Sequence, residues 1–271
     1  MSKPRAALVL SDIHCGSTYG LLPPGFTTLE GNEVKQNGLQ KWLWDCWLDA
    51  TNLWLSQILG SDLFILIVNG DAMEGRHHKT KEVISPDDGD DLEASIQVLE
   101  PLAKRAAATF VVEGTECHTH NLENVLGRRI GARKCEDTGH HSFRRLDLTI
   151  AGTRIIAQHH IATSARTWTE ATALGAFLAN EQLEAVNNGE AIPRVLLSAH
   201  RHRFGCYETA NAVSIVTPPF QGLTRHGRKV VPSARTRPGI VVLDWRDRDD
   251  GELPEVLART YRMPTPKGVE V

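Results

Sequence analysis

Five short stretches of this chain carry side chains that bind metal ions or move protons. Ser11-Asp12-Ile13-His14 sets a carboxylate and an imidazole two residues apart. Asn69-Gly70-Asp71-Ala72-Met73-Glu74 holds two carboxylates three apart, and Gly114-Thr115-Glu116-Cys117-His118 crowds an acid, a thiol and an imidazole after a glycine. Gln158-His159-His160 and Ala199-His200-Arg201-His202-Arg203 complete the series. A lone Asp or His at a strand end is usually a turn or capping residue. The recurrence is what matters here. Asp and His fall at the ends of successive predicted strands, twice at i, i+2, a spacing that in extended chain directs both side chains to one face. Open α/β sheets carry their sites at those carboxyl ends. Mixed imidazole and carboxylate donors suit Mn, Fe, Zn or Ni rather than Ca.

The elements that must position these groups are legible as apolar runs. Ala6–Leu10, Leu63–Val68 and Phe110–Val112 each precede one of the first three stretches and read as buried strands. Leu146–Ile150 and Thr153–Ala157 flank Ala151-Gly152 and read as a hairpin ahead of the paired histidines. Val195–Ser198, Val213–Val216 and Ile240–Asp244 are further strands. A helix is expected over 38–60, where Leu43, Trp47, Ala50, Trp54 and Ile58 recur at spacings of three and four before Gly60. Four of the six tryptophans lie there, which reads first as core packing and second as a docking face. Residues 92–108 are expected to be helical with a kink or break at Pro101, 122–130 and 168–187 helical, and 15–37 a long loop. Early strands alternate with helices and later ones come in runs, which predicts one mixed α/β domain over 1–271.

Bulk properties narrow the class. At 271 residues and 41% hydrophobic, the chain can bury a substantial core. A net charge of −3 advertises no global affinity for nucleic acid. Five cysteines with no CxxC pair fit a reduced intracellular protein. The N-terminal apolar run is short and ends in Asp12, a strand rather than a signal peptide. No segment reaches the roughly 20 apolar residues of a membrane span. A soluble, cytoplasmic protein with no membrane partner is the expectation; its oligomeric state is left open.

The order Asp-x-His, Gly-Asp-x-x-Glu, a glycine-led third motif, a strand-end His, then His-x-His resembles the calcineurin-like metallophosphoesterase superfamily, and among its members the phage or prophage type. The likeness runs from residue 12 to 202. It implies an α/β fold, a four-layer α/β/β/α sandwich of two mixed β-sheets flanked by helices, around two divalent metal ions, Mn first and Fe, Zn or Ni as alternatives. Carried over by position, Asp12, His14, Asp71 and His202 would hold one ion. Asp71 would bridge to a second, held also by a third-motif residue, His159 or His160, and His200. Two cations about 3.5–4 Å apart can clamp phosphate oxygens and turn a bridging water into hydroxide. A nearby protonated His would serve the leaving oxygen.

The third motif departs from the family's Gly-Asn-His-Asp/Glu. Aligned without a gap, Thr115 takes the place of the Asn ligand and Glu116 that of the His. Alternatively Glu116 replaces the amide as ligand and His118 acts as the acid, which is the expectation carried forward. In a third reading the motif is dead and the protein only binds. Glu74 is expected to orient a ligand histidine or to cap a helix. His77, His78 and His120 are expected to be solvated or to back the ligands. Cys15 and Cys117 abut the site and are expected to pack, with sensitivity of the site to oxidation as a consequence.

Residues 225–237 hold five Arg or Lys and no acid. Arg228 and Lys229 there, with Arg201 and Arg203 beside the final histidines, are candidate contacts for a polyanionic substrate. The expected activity is hydrolysis of a phosphodiester of nucleotide or nucleic-acid type, a nuclease included. A phosphomonoesterase is the alternative, and a metal-stabilised scaffold docking through the Trp-rich helix is the non-enzymatic one.

Overall fold

Strand β1 (Ala6–Leu10) is wholly buried, and its alternate residues serve different cores. Ala6, Leu8 and Leu10 pack with helices on one side, while Ala7 and Val9 join a second cluster on the other. β2 (Ile65–Asn69) divides the same way, with Leu66 and Val68 on one side and Ile65 and Ile67 on the other. That two-sided burial is why both segments read as continuous apolar runs. The computed structural model describes residues 3–76, 80–119, 122–161, 169–230 and 236–264. His77, His78 and His120 lie outside them.

One five-stranded sheet has the order β10-β9-β1-β2-β3, with β3 at Ala108–Val112, β9 at Gly239–Asp244 and β10 at Glu255–Thr260. β1, β2 and β3 are parallel, and β9 runs antiparallel to β1. The second sheet has the order β4-β5-β6-β8-β7: Leu146–Ile150, Thr153–Ala157, Val195–Ser198, Val213–Val216 and Gly205–Glu208 for β4, β5, β6, β8 and β7. β5, β6 and β8 are parallel. Ile155, Val195, Leu197, Val213 and Ile215 meet Ala7, Val9, Ile67, Val241 and Trp245 between the sheets. Helices α1 (Gly38–Leu48), α2 (Leu55–Leu59), α3 (Asp88–Arg105) and α5 (Leu122–Arg129) pack on the first sheet's side, and the one-turn α4 (Glu116–Thr119) follows β3 in the chain. α6 (Glu170–Asn187) packs on the second through Leu174 and Leu178. The result is a four-layer α/β/β/α sandwich.

Several local expectations are refined. The helix expected over 38–60 is helical from Gly38 to Leu59 and stops at Gly60, but Asp49–Trp54 forms a π-helical segment between α1 and α2. It begins from a complete capping box, in which Asn37 and Gln40 exchange side-chain and backbone hydrogen bonds. Trp47 is buried edge-on to Phe220, at 5.0 Å between ring centres, and Trp42, Trp44 and Trp54 pack against the same core. Pro101 does not break α3: it lies on the exposed face with Gln97, whose carbonyl loses its partner where solvent can reach it. β7 and β10 escape the sequence because both alternate weakly and are largely exposed. No described helix is long and apolar enough to cross a membrane. Trp168 lies outside the described residues.

Candidate metal centre

The parallel strands of both sheets deliver the ligand series to one place. Asp12 follows β1, Asp71 follows β2 and Thr115 lies three residues past β3. His159 follows β5, and His200 and His202 follow β6. Loop-to-loop hydrogen bonds lock these ends together: Asp12 N–H to the Gly70 carbonyl at 3.0 Å, His14 N–H to Asp71 at 3.1 Å, and Ala199 N–H to His159 at 2.9 Å.

The backbone here is not the extended chain that the i, i+2 spacing suggests. Asp12, His14, Asp71, His200 and His202 all have positive φ, between 48° and 69°. Among described non-glycine residues only Ala151, in the β4–β5 turn, shares that conformation. Each such residue costs of order 1 kcal/mol or more, and such strain gathers where surrounding structure over-determines a site. Asp12 and His14 therefore converge because both sit in the left-handed region, not because a strand alternates.

Two buried carboxylates form the centre. Asp71 Oδ1 accepts the Thr115 N–H at 2.7 Å, while Oδ2 lies 2.9 Å from His159 Nε2, 3.1 Å from Thr115 Oγ1 and 3.9 Å from both His14 and His200. Asp12 Oδ2 accepts from Ser11 Oγ at 2.6 Å and from the His200 N–H at 3.2 Å. Its Oδ1 is buried without a well-formed hydrogen bond. It faces His202 Nε2 at 3.3 Å, His159 Nε2 at 3.9 Å and His14 Nε2 at 4.0 Å. A buried carboxylate oxygen ringed by imidazole nitrogens, with no closer donor, is the environment a cation completes.

The electrostatics point the same way. Burial pushes the Asp12 and Asp71 carboxyls up, but the neighbouring histidines, His202 and His159 foremost, hold both below the usual range. Burial would lower His159, yet Asp71 raises it to about 10. Protonated imidazole supplies positive charge that a bound metal would replace. Four groups of three donors lie within ligand reach among the described residues: His159-His160-His200, Asp12-His14-His202, Asp12-Asp71-His159 and His14-Glu74-His118. This donor set fits a divalent cation.

Glu74 is buried, with Oε2 2.9 Å from His14 Nδ1 and 2.8 Å from Gln221 Nε2, so it orients the His14 ring toward the centre. The His118 ring meets His14 edge-on at 4.8 Å, and its Nδ1 lies 2.7 Å from the Glu74 carbonyl. Glu116 stands elsewhere. It opens α4 with its side chain exposed and belongs to none of the four groups. Thr115, the preceding residue, stands at the hub instead, in contact with Asp71, His160 and His200. Thr115→Ala is therefore expected to weaken metal binding by about tenfold or more, while Glu116→Ala leaves affinity unchanged within error, as read by metal titration.

Arg201 and Arg203 are half-buried on the turn that carries the histidines, and each engages neighbouring groups. Arg228 and Lys229 are exposed on α7 (Arg225–Val230), and among the described residues their side chains make no hydrogen bond or ion pair with the centre. Residues 231–235 of the basic stretch lie outside the described residues.

Sequence reasoning passed over Ser11 and Glu123. Glu123, buried in α5, accepts the Gly114 N–H at 2.6 Å and so fixes the turn that presents Thr115. Burial, reinforced by Asp71, pushes its carboxyl up to about 8. An acid inside an amphipathic helix carries no local mark of that role. The cysteines also resolve. Cys15 is fully buried and burial pushes its thiol up to about 12, as it does for Cys46, whereas hydrogen bonds from Thr138 lower Cys135. At pH 8 a lower pKa means more reactive thiolate. Iodoacetamide should label Cys135 first and Cys15 and Cys46 last in the native protein, as read by peptide mass mapping. The expected oxidation sensitivity of the site through Cys15 is thus opposed by its burial.

No family model matches the chain, and no curated protein matches it. Among solved structures it is similar to zinc-complexed wild-type Vps29 of Entamoeba histolytica, at 12% identity and TM-score 0.45 over 95% of this chain and 98% of that one. It is also similar to an archaeal phosphodiesterase, at 10% identity and TM-score 0.44 over 94% and 99%. A putative 5'-nucleotidase of Staphylococcus aureus aligns at 12% identity and TM-score 0.44 over 98% of this chain and 56% of that one.

Proposed function

We propose that this chain is a metal-dependent phosphoesterase that hydrolyses a phosphodiester of nucleotide or nucleic-acid type. The observation that carries the proposal is the convergence of two buried carboxylates and five imidazoles, with Asp71 Oδ2 within 3.9 Å of His159, His14 and His200 at once. Asp12, His14, His202 and Asp71 would hold one divalent transition metal; Asp71, His159, His200 and their neighbours would hold a second. Bound there, such ions supply Lewis acidity toward phosphate oxygens and lower the pKa of a nearby water.

The chain's own residues do the rest. Asp71 would serve both subsites through Oδ2, which lies 3.9 Å from His14 and 2.9 and 3.9 Å from His159 and His200, while Oδ1 is held by the Thr115 N–H. Glu74 and the Asn69 carbonyl fix the rings of His14 and His159 through their Nδ1 atoms, leaving Nε2 toward the centre. A carbonyl can only accept, so His118 Nδ1 donates to Glu74 and Nε2 is the nitrogen able to exchange a proton with a leaving oxygen. Arg201 and Arg203 flank the final histidines in sequence and would supply positive charge there for an extended anionic ester.

With Mn²⁺, the purified protein should hydrolyse bis-p-nitrophenyl phosphate faster than p-nitrophenyl phosphate. Faster monoester cleavage would reverse the substrate class, and no turnover with either across Mn²⁺, Co²⁺, Zn²⁺ and Ni²⁺ would remove the enzymatic reading. His118→Ala should keep its metal and lose most rate on diesters with poor leaving groups.

A further inference from the structure

His160 departs from the pattern that the two-subsite reading requires, because one imidazole at this strand end would suffice and the chain supplies two. His159 is buried and committed inward, with Nδ1 on the Asn69 carbonyl and Nε2 on Asp71. His160 is exposed at the rim. Its ring lies against that of His200, at 3.8 Å between centres and 37° between planes. His160 Nε2 and His200 Nδ1 each lie 3.2 Å from Thr115 Oγ1, the same atom that lies 3.1 Å from Asp71 Oδ2. Two ring nitrogens and a carboxylate oxygen thus converge on one hydroxyl, and His159, His160 and His200 form a single group of ligand atoms.

We infer that His160 is a third imidazole ligand of the second subsite, making that subsite nitrogen-rich and selective for borderline cations such as Zn²⁺ or Co²⁺ over Mg²⁺ and Ca²⁺. The inference rests on the two-metal reading proposed above. The contrast between subsites carries the selectivity. The first draws on Asp12, His14, His202 and Asp71, two anionic oxygens against two imidazoles. The second draws on Asp71 alone for charge, with three imidazoles and the weak Thr115 hydroxyl. Imidazole suits Zn, Cu, Fe and Ni, whereas carboxylate and water suit Mg, Ca and Mn. The Thr115 hydroxyl is a weak neutral donor, and the extra ring makes up the donor count.

The test is titration of metal-stripped protein with Co²⁺, followed by visible absorption and by equilibrium dialysis, on wild type, His160→Ala and His160→Gln. Wild type should bind two equivalents. Both variants should keep the first with unchanged affinity and bind the second at least about tenfold more weakly, with an altered cobalt spectrum. Excess Mg²⁺ should not displace the second Co²⁺ from wild type. Because His160 is exposed, the metal-free variants should melt with wild type, and the Gln variant retains the side chain's bulk should Ala not fold. Two equivalents bound by the variants with wild-type affinity and spectrum would overturn the role of His160 and leave the two-metal reading standing. Fewer than two equivalents in wild type would remove that reading and this inference with it.

Discussion

Asp71→Asn is expected to cost about 10³-fold or more in the proposed diester hydrolysis, or roughly 4 kcal/mol of transition-state stabilisation. On the proposed two-metal reading it should also lower bound metal from two equivalents toward one or none. The substitution keeps the shape of the side chain and removes its charge, so packing is preserved. What is lost is the one carboxylate whose oxygens lie between His159, His14 and His200 and that also receives the Thr115 backbone. In the metal-free protein the stability cost should be smaller, because His159 can release the proton that Asp71 now holds on it. Metal analysis and steady-state kinetics on the same preparations check both parts. Wild-type stoichiometry and rate in Asp71→Asn would remove Asp71 from the centre.

Gly70→Ala should be nearly as damaging to the site although it touches no charge. Gly70 has φ +84°, and a Cβ there would lie 2.3 Å from His159 Nδ1 and 2.8 Å from the Gly114 Cα. The left-handed backbone costs a side chain roughly 1–2 kcal/mol, and forcing bulk into a packed site about 1–3 kcal/mol more. The His159 ring must then leave the Asn69 carbonyl and Asp71 together. At roughly 2–4 °C per kcal/mol, the melting temperature should fall by about 5–15 °C, with metal affinity falling in parallel. Gly25→Ala is the control: its φ is +70°, but open space surrounds its would-be Cβ, so only the backbone cost applies and metal affinity should not move. Equal effects from the two substitutions would show that crowding at Gly70 does not govern the site.

Why some of this was legible and some was not follows from the range of the interactions. β1 and β2 are buried on both faces, and such strands must be apolar at every position, a signal contained within five residues. The helix at 38–59 announces itself by its apolar spacing and its Gly60 stop in the same way. β7 and β10 do not, because their exposed alternate residues are free to be polar. Nor does the π segment, whose hydrogen-bond shift leaves the apolar face intact. The donor series was visible because Asp and His, each ordinary alone at a strand end, recurred after successive strands.

The chain's linear order was enough to determine the donor types, their seats just after strands and the mixed α/β class, since each depends on residues close in sequence. Which donors meet is a different kind of fact. Thr115 rather than Glu116 reaches Asp71, His160 lies against His200, and Glu123 holds the Gly114 turn from nine residues away. These contacts join loops from both sheets, and several depend on side chains set by left-handed backbone at Asp12, Asp71 and His200. Only the packing of the two sheets against each other brings those loops close enough to impose such conformations, so only the tertiary structure decides them.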